Sequence, residues 1–210
     1  MKTTTGIDAW NERYSNPQFA YGEVANAWLI ECLPKVTGGA KLLFAAEGEG
    51  RNAAYAATNG YETVCFDMSM AGKQKAQLLF SKLGLPAPDY QITDALETDF
   101  ELAGFDGLVM VYAHFPPAIR ALATRHLLSF VKPGGFIVFE AFAEEQLEYQ
   151  KLHTSGGPRE IEWLYTTVSA EREFINVRWM QLEEKEVELS EGAYHAGPAK
   201  VVRGFGQLHQ

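Results

Sequence analysis

Cysteine is scarce in this sequence: two in 210 residues, Cys32 and Cys65. They are too few and too far apart for a disulfide framework or a CxxC pair, and both read as buried apolar filler. No apolar run approaches the roughly 18 residues that cross a bilayer, which argues against a membrane partner. The stretch 1–6 is polar and has no hydrophobic leader core, so nothing marks the chain for export and a cytoplasmic location is expected. Positive charge is in deficit, with 18 Lys and Arg against 27 Asp and Glu and a formal net charge of −9. No local basic patch offsets it. A phosphate backbone would be repelled on average, which argues against nucleic acid and favours a neutral or cationic small ligand. The five histidines show no HExxH or other ligand spacing, so no metal is expected.

What is present is ordinary globular material, 47% hydrophobic and 21% charged, of a length that suits one domain over 1–210. Either a monomer or a homodimer is compatible with it. Residues 7–16 read as a short helix and turn. A helix is expected over 23–33, with Val24, Trp28 and Cys32 on one stripe and Pro34 as its end. Apolar runs at 41–46, 62–66, 90–92, 107–112 and 136–142 read as buried strands. Helices are expected between them at 51–59, at 70–83 behind a Ser69 cap, and after Pro116 and Pro117. Lys132-Pro133-Gly134-Gly135 reads as a turn. Strand and helix alternate, which implies parallel strands covered on both faces. The last fifty residues differ: Val187 and Leu189 alternate with Glu186 and Glu188 at a period of two. A strand at 177–189 would pair antiparallel with one at 199–208 across a 191–198 loop. The expected fold is α/β: a Rossmann-like, doubly wound, mostly parallel seven-stranded sheet with a C-terminal antiparallel hairpin.

Ligands of such sheets collect at the carboxyl ends of the strands, near the reversal of strand order. Polar residues sit at those ends. Glu47-Gly48-Glu49-Gly50 follows the first strand, Asp67 the second and Asp94 the third. Tyr112-Ala113-His114 follows the fourth, and Glu140 lies in the fifth. The turn from Gly48 to Ala53 also satisfies G-x-G-x-x-A, and Asp67 lies near the right distance for a ribose hydroxyl, so spacing alone allows a nicotinamide dinucleotide as readily as another nucleoside. Charge separates the two. A pyrophosphate needs donors and positive potential. Like charges about 4 Å apart cost roughly 4 kcal/mol near a protein surface, more than the roughly 0.3–1 kcal/mol a helix terminus returns. Glu47 and Glu49 therefore favour a ligand that carries positive charge and no phosphate, of which S-adenosylmethionine is one.

The ordered set Trp10-Asn11-Glu12-Arg13-Tyr14-Ser15, Phe19-Ala20-Tyr21-Gly22, Ala46-Glu47-Gly48-Glu49-Gly50-Arg51-Asn52, Phe66-Asp67-Met68-Ser69, His114-Phe115-Pro116-Pro117, Lys132-Pro133-Gly134-Gly135 and Glu191-Gly192-Ala193-Tyr194-His195-Ala196-Gly197 resembles the class I S-adenosylmethionine-dependent methyltransferases. Within them it is similar to the small bacterial branch related to tellurite-resistance and thiopurine methyltransferases. Asn52 replaces the broad family's third glycine, and Ala25-Asn26 stands where relatives have Pro-Asn. The resemblance implies that Glu47, Gly48, Glu49 and Gly50 hold the methionine end of the cofactor and Asp67 the ribose. Met68, Asp94 and Ala95 would hold the adenine. Residues 1–34, with Trp10, Tyr14 and Tyr21, would form a helical lid over it. It further implies methyl transfer to a small-molecule acceptor, a thiol or chalcogen species among the candidates, with S-adenosylhomocysteine as product. Acceptor-side candidates are Tyr112, His114, Arg120, Tyr194 and His195. His114 is the expected base, Arg120 a partner for an anionic acceptor, and His195 a shaper of the acceptor pocket from the hairpin loop. The competing readings are a nicotinamide-dependent oxidoreductase and a non-catalytic nucleoside-binding module. The 153–158 loop is a candidate gate.

Overall fold

The computed structural model describes residues 6–209. The first five residues, which belong to the polar stretch and to the expected lid, lie outside that range, as does Gln210. Helices α1 (Ile7–Tyr14) and α2 (Ala27–Cys32) lead into β1 (Lys41–Ala45), α3 (Arg51–Thr58), β2 (Glu62–Asp67), α4 (Met70–Lys82), β3 (Asp89–Ile92), β4 (Phe105–Val111), α5 (Arg120–Leu128) and β5 (Val131–Phe142). Then come α6 (Gln146–Leu152), α7 (Thr167–Glu173), β6 (Val177–Glu191) and β7 (His195–Leu208). The strands form one seven-stranded sheet in the order β3-β2-β1-β4-β5-β7-β6. The first five run parallel to one another, and β7 pairs antiparallel with both β5 and β6. That is the α/β architecture expected from the alternation of apolar runs.

Both faces of the sheet are covered, and the strand period of two sorts the core. Leu43 and Ala45 point to the side packed by α5 and α7, with Ala123, Leu127, Ala170 and Phe174. Leu42 and Phe44 point to the side packed by α2, α3 and α4, with Trp28, Ala53 and Leu79. Cys32 and Cys65 are buried, unpaired members of that second layer. Among the described residues no helix is long and apolar enough to cross a membrane.

The order reverses between β1 and β4. Immediately after those two strands Ala46 and Tyr112 adopt positive φ, 51° and 55°. Non-glycine residues in that region are strained, and such strain gathers where a site is built.

Four expectations on local structure need correction. The helix expected over 23–33 starts only at Ala27, because Asn26 turns the chain and caps it by accepting from Leu29 N at 3.1 Å; Val24 is left exposed. Pro116 and Pro117 lie in a turn ahead of α5, which begins at Arg120. The Lys132–Gly135 stretch is a bulge inside β5: Phe105 pairs with Val131 and Gly107 with Phe136, so extra residues loop out on one strand. The hairpin loop is shorter than 191–198. Pairing continues to Glu191 and His195, so His195 is a strand residue held in register, not a loop residue.

Candidate active site

At the carboxyl edge of the sheet, over the reversal, lies a cavity of about 540 Å³. The turn between β1 and α3 forms its floor. Gly48 has φ 59°, and a Cβ there would stand 2.6 Å from the Tyr14 hydroxyl; Gly50 has φ 83°, and a Cβ there would stand 2.5 Å from Ala76 Cβ. The glycines therefore admit α1 and α4. Neither lines the cavity, whereas the resemblance implied that both hold the methionine end of the cofactor.

Glu47 and Glu49 do line it, but not as two free charges. Glu47 Oε1 accepts from Asn52 N and Ala53 N, both at 2.8 Å, and so seals the first turn of α3. Burial pushes its carboxyl up to about 7, opposed by those two amides and by Arg51. Glu49 Oε1 pairs with Lys75 Nζ at 3.4 Å, and Oε2 accepts from Tyr21 N at 3.2 Å. The expected two-carboxylate repulsion is thus largely relieved. One acid carries a buried cation and the other sits on a helix terminus.

Asp67 ends β2 and lines the cavity. Its Oδ2 accepts from Gly48 N at 3.1 Å and its Oδ1 from Ser69 N at 2.8 Å. Burial pushes its carboxyl up to about 6 against those bonds. Met68, Asp94 and Ala95 line the same end, and Asp94 Oδ1 accepts from Leu96 N at 3.0 Å. Trp10, Tyr14 and Tyr21 form the opposite wall. They are held by ring packing, with Trp10 stacked on Tyr14 at 5.6 Å and Tyr21 edge-on to Tyr14 at 6.4 Å.

The other half of the cavity is walled by Tyr112, His114, Phe115, Phe142, Trp163 and His195. His114, expected as a base, has no free nitrogen. Its Nε2 accepts from Phe142 N at 3.3 Å, which leaves Nδ1 to donate to Trp163 O at 2.9 Å. Burial lowers its pKa to about 4, only partly offset by the Trp163 carbonyl. Arg120, expected to meet an anion, does not line the cavity. It pairs with Glu173 at 2.7 Å and donates to the Glu162 and Leu164 carbonyls. His195 is packed by Tyr21 and Tyr112, each at 4.5 Å, with Nδ1 3.6 Å from Glu191 Oε2. Burial lowers its pKa, and Glu191 works in the other direction. Tyr194 lies outside the cavity lining but stacks over Arg13.

Sequence reasoning missed the polar layer beneath this half. Asn26 Nδ2 bridges Glu140 Oε1 at 2.7 Å and Glu191 Oε1 at 2.9 Å, and Tyr112 donates to the same Glu140 oxygen at 2.9 Å. Arg51 donates to Glu191 Oε2 at 2.6 Å, so its counter-charge comes from the far end of β6. Asn52, the departure from the family's third glycine, accepts from Asn26 N at 2.9 Å and so ties α3 to the start of α2. Arg13, which also lines the cavity, was not singled out either. The 153–158 loop is tied to α6: Gln146 donates to Ser155 and Gly156, and Gln150 to Gly156 and Pro158.

A sheet of this kind, with acids at successive strand ends and a covered cleft at its reversal, has its cleft where α/β folds take their ligands. Residues 43–135 match the family model of a methyltransferase domain. No curated protein sequence matches the chain. Among solved structures, one from work on converting a disulfide bond into a thioacetal group during echinomycin biosynthesis is 15% identical with TM-score 0.76, over 95% of this chain and 88% of its own. A SAM-dependent methyltransferase from Aquifex aeolicus is 13% identical with TM-score 0.68, over 98% and 100%. TehB from Haemophilus influenzae is 12% identical with TM-score 0.70, over 96% of this chain and 66% of its own. At such identities these neighbours speak to the fold. The matched stretch is that of a methyltransferase domain, and such a domain points to an enzyme that takes S-adenosylmethionine as its cofactor.

Proposed function

We propose that the protein methylates a small-molecule acceptor, and that the acceptor atom is an uncharged thiol or related chalcogen. The carrying observation for the cofactor half is Glu47 seated on the first amides of α3. A pyrophosphate would need those N–H groups, and both are already bonded at 2.8 Å. This occupied terminus disfavours a nicotinamide dinucleotide more directly than the net acidity of the turn does. Asp67 holds the ribose hydroxyls with its carboxylate. Met68 and Ala95 flank the adenine, and Asp94 meets its amine. Trp10, Tyr14 and Tyr21 close over the top, where an aromatic face beside a sulfonium contributes about 0.5–2 kcal/mol.

When bound, S-adenosylmethionine supplies an electrophilic methyl carbon on a positively charged sulfur. The chain's own work is to orient the acceptor and exclude water, and orientation alone can contribute about 7–11 kcal/mol. Tyr112, Phe142 and Trp163 provide an apolar wall for that purpose. A thiol is already nucleophilic and needs little help from a base, which suits a site where both His114 nitrogens are engaged. For a hydroxyl acceptor the imidazole left is His195, since among the described residues nothing bonds its Nε2. The aromatic half-cleft beyond the nucleoside contacts favours an enzyme over a non-catalytic sensor. No nucleic-acid or membrane partner is part of the proposal.

The test is an acceptor screen with a radiolabelled methyl donor and mass detection of products, alongside titration calorimetry with S-adenosylhomocysteine. Saturable binding and methyl transfer to a neutral thiol are expected. Transfer confined to oxyanions would overturn the acceptor class, and absence of saturable binding would overturn the cofactor half.

A further inference from the structure

Five carboxylates line the cavity. Four of them, Glu47, Glu49, Asp67 and Asp94, accept bonds from backbone amides, and Glu49 also pairs with a lysine. The fifth, Glu160, is exposed, and among the described residues its side chain has no hydrogen-bond or ion-pair partner. Three positions on, the half-buried indole of Trp163 lines the same cavity. Phe142, the other large ring of that wall, is stacked on Tyr112 at 4.7 Å and on His114 at 5.8 Å. Among the described residues no ring and no cation is packed on Trp163.

The segment that carries both side chains is fastened from below. Trp163 N donates to the Glu160 carbonyl at 3.1 Å and closes a 3-10 turn over Ile161–Trp163. A single turn does not hold itself. The Trp163 carbonyl accepts from His114 Nδ1 at 2.9 Å, and the Glu162 and Leu164 carbonyls accept from Arg120 at 3.0 and 3.2 Å. His114 and Arg120, expected from the sequence to meet the acceptor themselves, instead fix the wall that does.

A carboxylate without a counter-charge beside an indole without a stacking partner has one chemical complement. The carboxylate offers full negative charge and the indole face a partial one, so both attract a cation. An anion is repelled by the first, and a neutral group uses neither. Arg13 does not neutralise Glu160: it lies between the rings of Trp10 and Tyr194, outside ion-pair distance of that carboxylate. Because Glu160 is exposed, a cation placed there keeps contact with water, and the site discriminates by charge without burying it.

We propose that the acceptor carries a cationic nitrogen, an ammonium or a quaternary centre, at the end remote from its reacting sulfur, and that Glu160 and Trp163 receive it. This rests on the methyltransferase reading and narrows its acceptor class. The sulfur is uncharged and points inward, and the charge on the far end decides which thiol is taken.

The experiment is titration calorimetry on protein saturated with S-adenosylhomocysteine, with three small thiols as probes. Thiocholine is the cation, 3,3-dimethylbutane-1-thiol its uncharged isostere, and 3-mercaptopropionate the anion. Wild type should bind thiocholine about fivefold or more tighter than the isostere, with the anion weakest. Glu160→Gln should cut the preference for the cation about threefold, and Trp163→Leu should cut it by at least as much. Glu162→Gln, which removes a neighbouring carboxylate that does not line the cavity, should leave the preference unchanged. Equal binding of cation and isostere, tightest binding of the anion, or an equal effect of the Glu160 and Glu162 substitutions would overturn the proposal. So would wild-type protein that binds S-adenosylhomocysteine and none of the thiols. Failure to bind S-adenosylhomocysteine at all would instead overturn the methyltransferase reading, and the proposal with it.

Discussion

Arg51 and Glu191 lie 140 positions apart in the sequence and meet at 2.6 Å beneath the cavity. Both are nearly buried, with side chains 7% and 9% exposed. Burial opposes the charge on Glu191, yet its partners, His195 and Arg51, hold its carboxyl down to about 2. The His195 contact, at 3.6 Å, is longer than a hydrogen bond, so Arg51 is the principal partner. The pair joins the start of α3 to the last turn of the sheet, and through Asn26 it also fixes the start of α2.

Removing one member leaves the other charged and unsatisfied. Arg51→Met or Glu191→Leu alone should destabilise the fold by about 3–5 kcal/mol, whereas the double substitution should cost clearly less than the sum, because no orphan charge remains. Urea denaturation of the four proteins of this cycle measures the coupling. Additive losses would show that the two side chains act independently.

Asp67 accepts from the Gly48 and Ser69 amides and lines the cavity, so its carboxylate is positioned to accept further bonds from a ligand. Asp67→Ala should weaken S-adenosylhomocysteine binding by about 2–4 kcal/mol through loss of two charge-assisted bonds. An unchanged dissociation constant in a calorimetric titration would remove the ribose assignment.

Gly50 combines φ 83° with a would-be Cβ 2.5 Å from Ala76 Cβ. Gly50→Ala should therefore cost about 2–4 kcal/mol, part from left-handed backbone and part from displacing α4. Chemical denaturation reads the loss directly. At Gly38, where nothing lies within 4 Å of a Cβ, the same substitution should be close to neutral, so the pair of variants separates packing from a general intolerance of alanine.

The strands and their order of use were legible in the sequence because each apolar run ends in a punctuating acid or glycine. Asp67 after 62–66 is an example, and the structure sets it at a strand end facing the cleft. The hairpin was legible from the Glu186–Leu189 alternation, though its turn is tighter than Gly and Pro suggested. What escaped depends on distance along the chain. Nothing local links Asn26 to Glu140 or Arg51 to Glu191. Glu47 looked like free negative charge because its use as a cap requires knowing where α3 begins in space. His114 looked like a base because the Phe142 amide and the Trp163 carbonyl that engage it come from elements far along the chain. Arg13 lies inside the Trp10–Ser15 stretch, and its place between the rings of Trp10 and Tyr194 became visible only when distant parts of the chain were brought together.

The buried carboxyls give stability and binding opposite dependences on pH. Glu47, Glu140 and Asp67 are raised by burial to about 7, 7 and 6, from ordinary values near 4. Between the unfolded and folded values the native state binds more protons, so the stability these groups contribute is present at low pH and lost as pH rises through about 6 to 7. His114, lowered to about 4 by burial, and His195, also lowered, act in the reverse sense below about pH 6.5, where the unfolded chain takes up protons that the folded one refuses. The two effects oppose each other in mild acid, but only the carboxyls act above it. The melting temperature of the ligand-free protein should therefore fall between about pH 6.5 and 8. Binding should run the other way: ionised Asp67 accepts ribose hydroxyls and ionised Glu47 favours a cation, so S-adenosylmethionine affinity should increase over the same range. Melting curves and calorimetric titrations at matched pH test both signs together. A melting temperature that rises with pH here, or an affinity that falls, would mean that these carboxyls are already ionised in the folded protein.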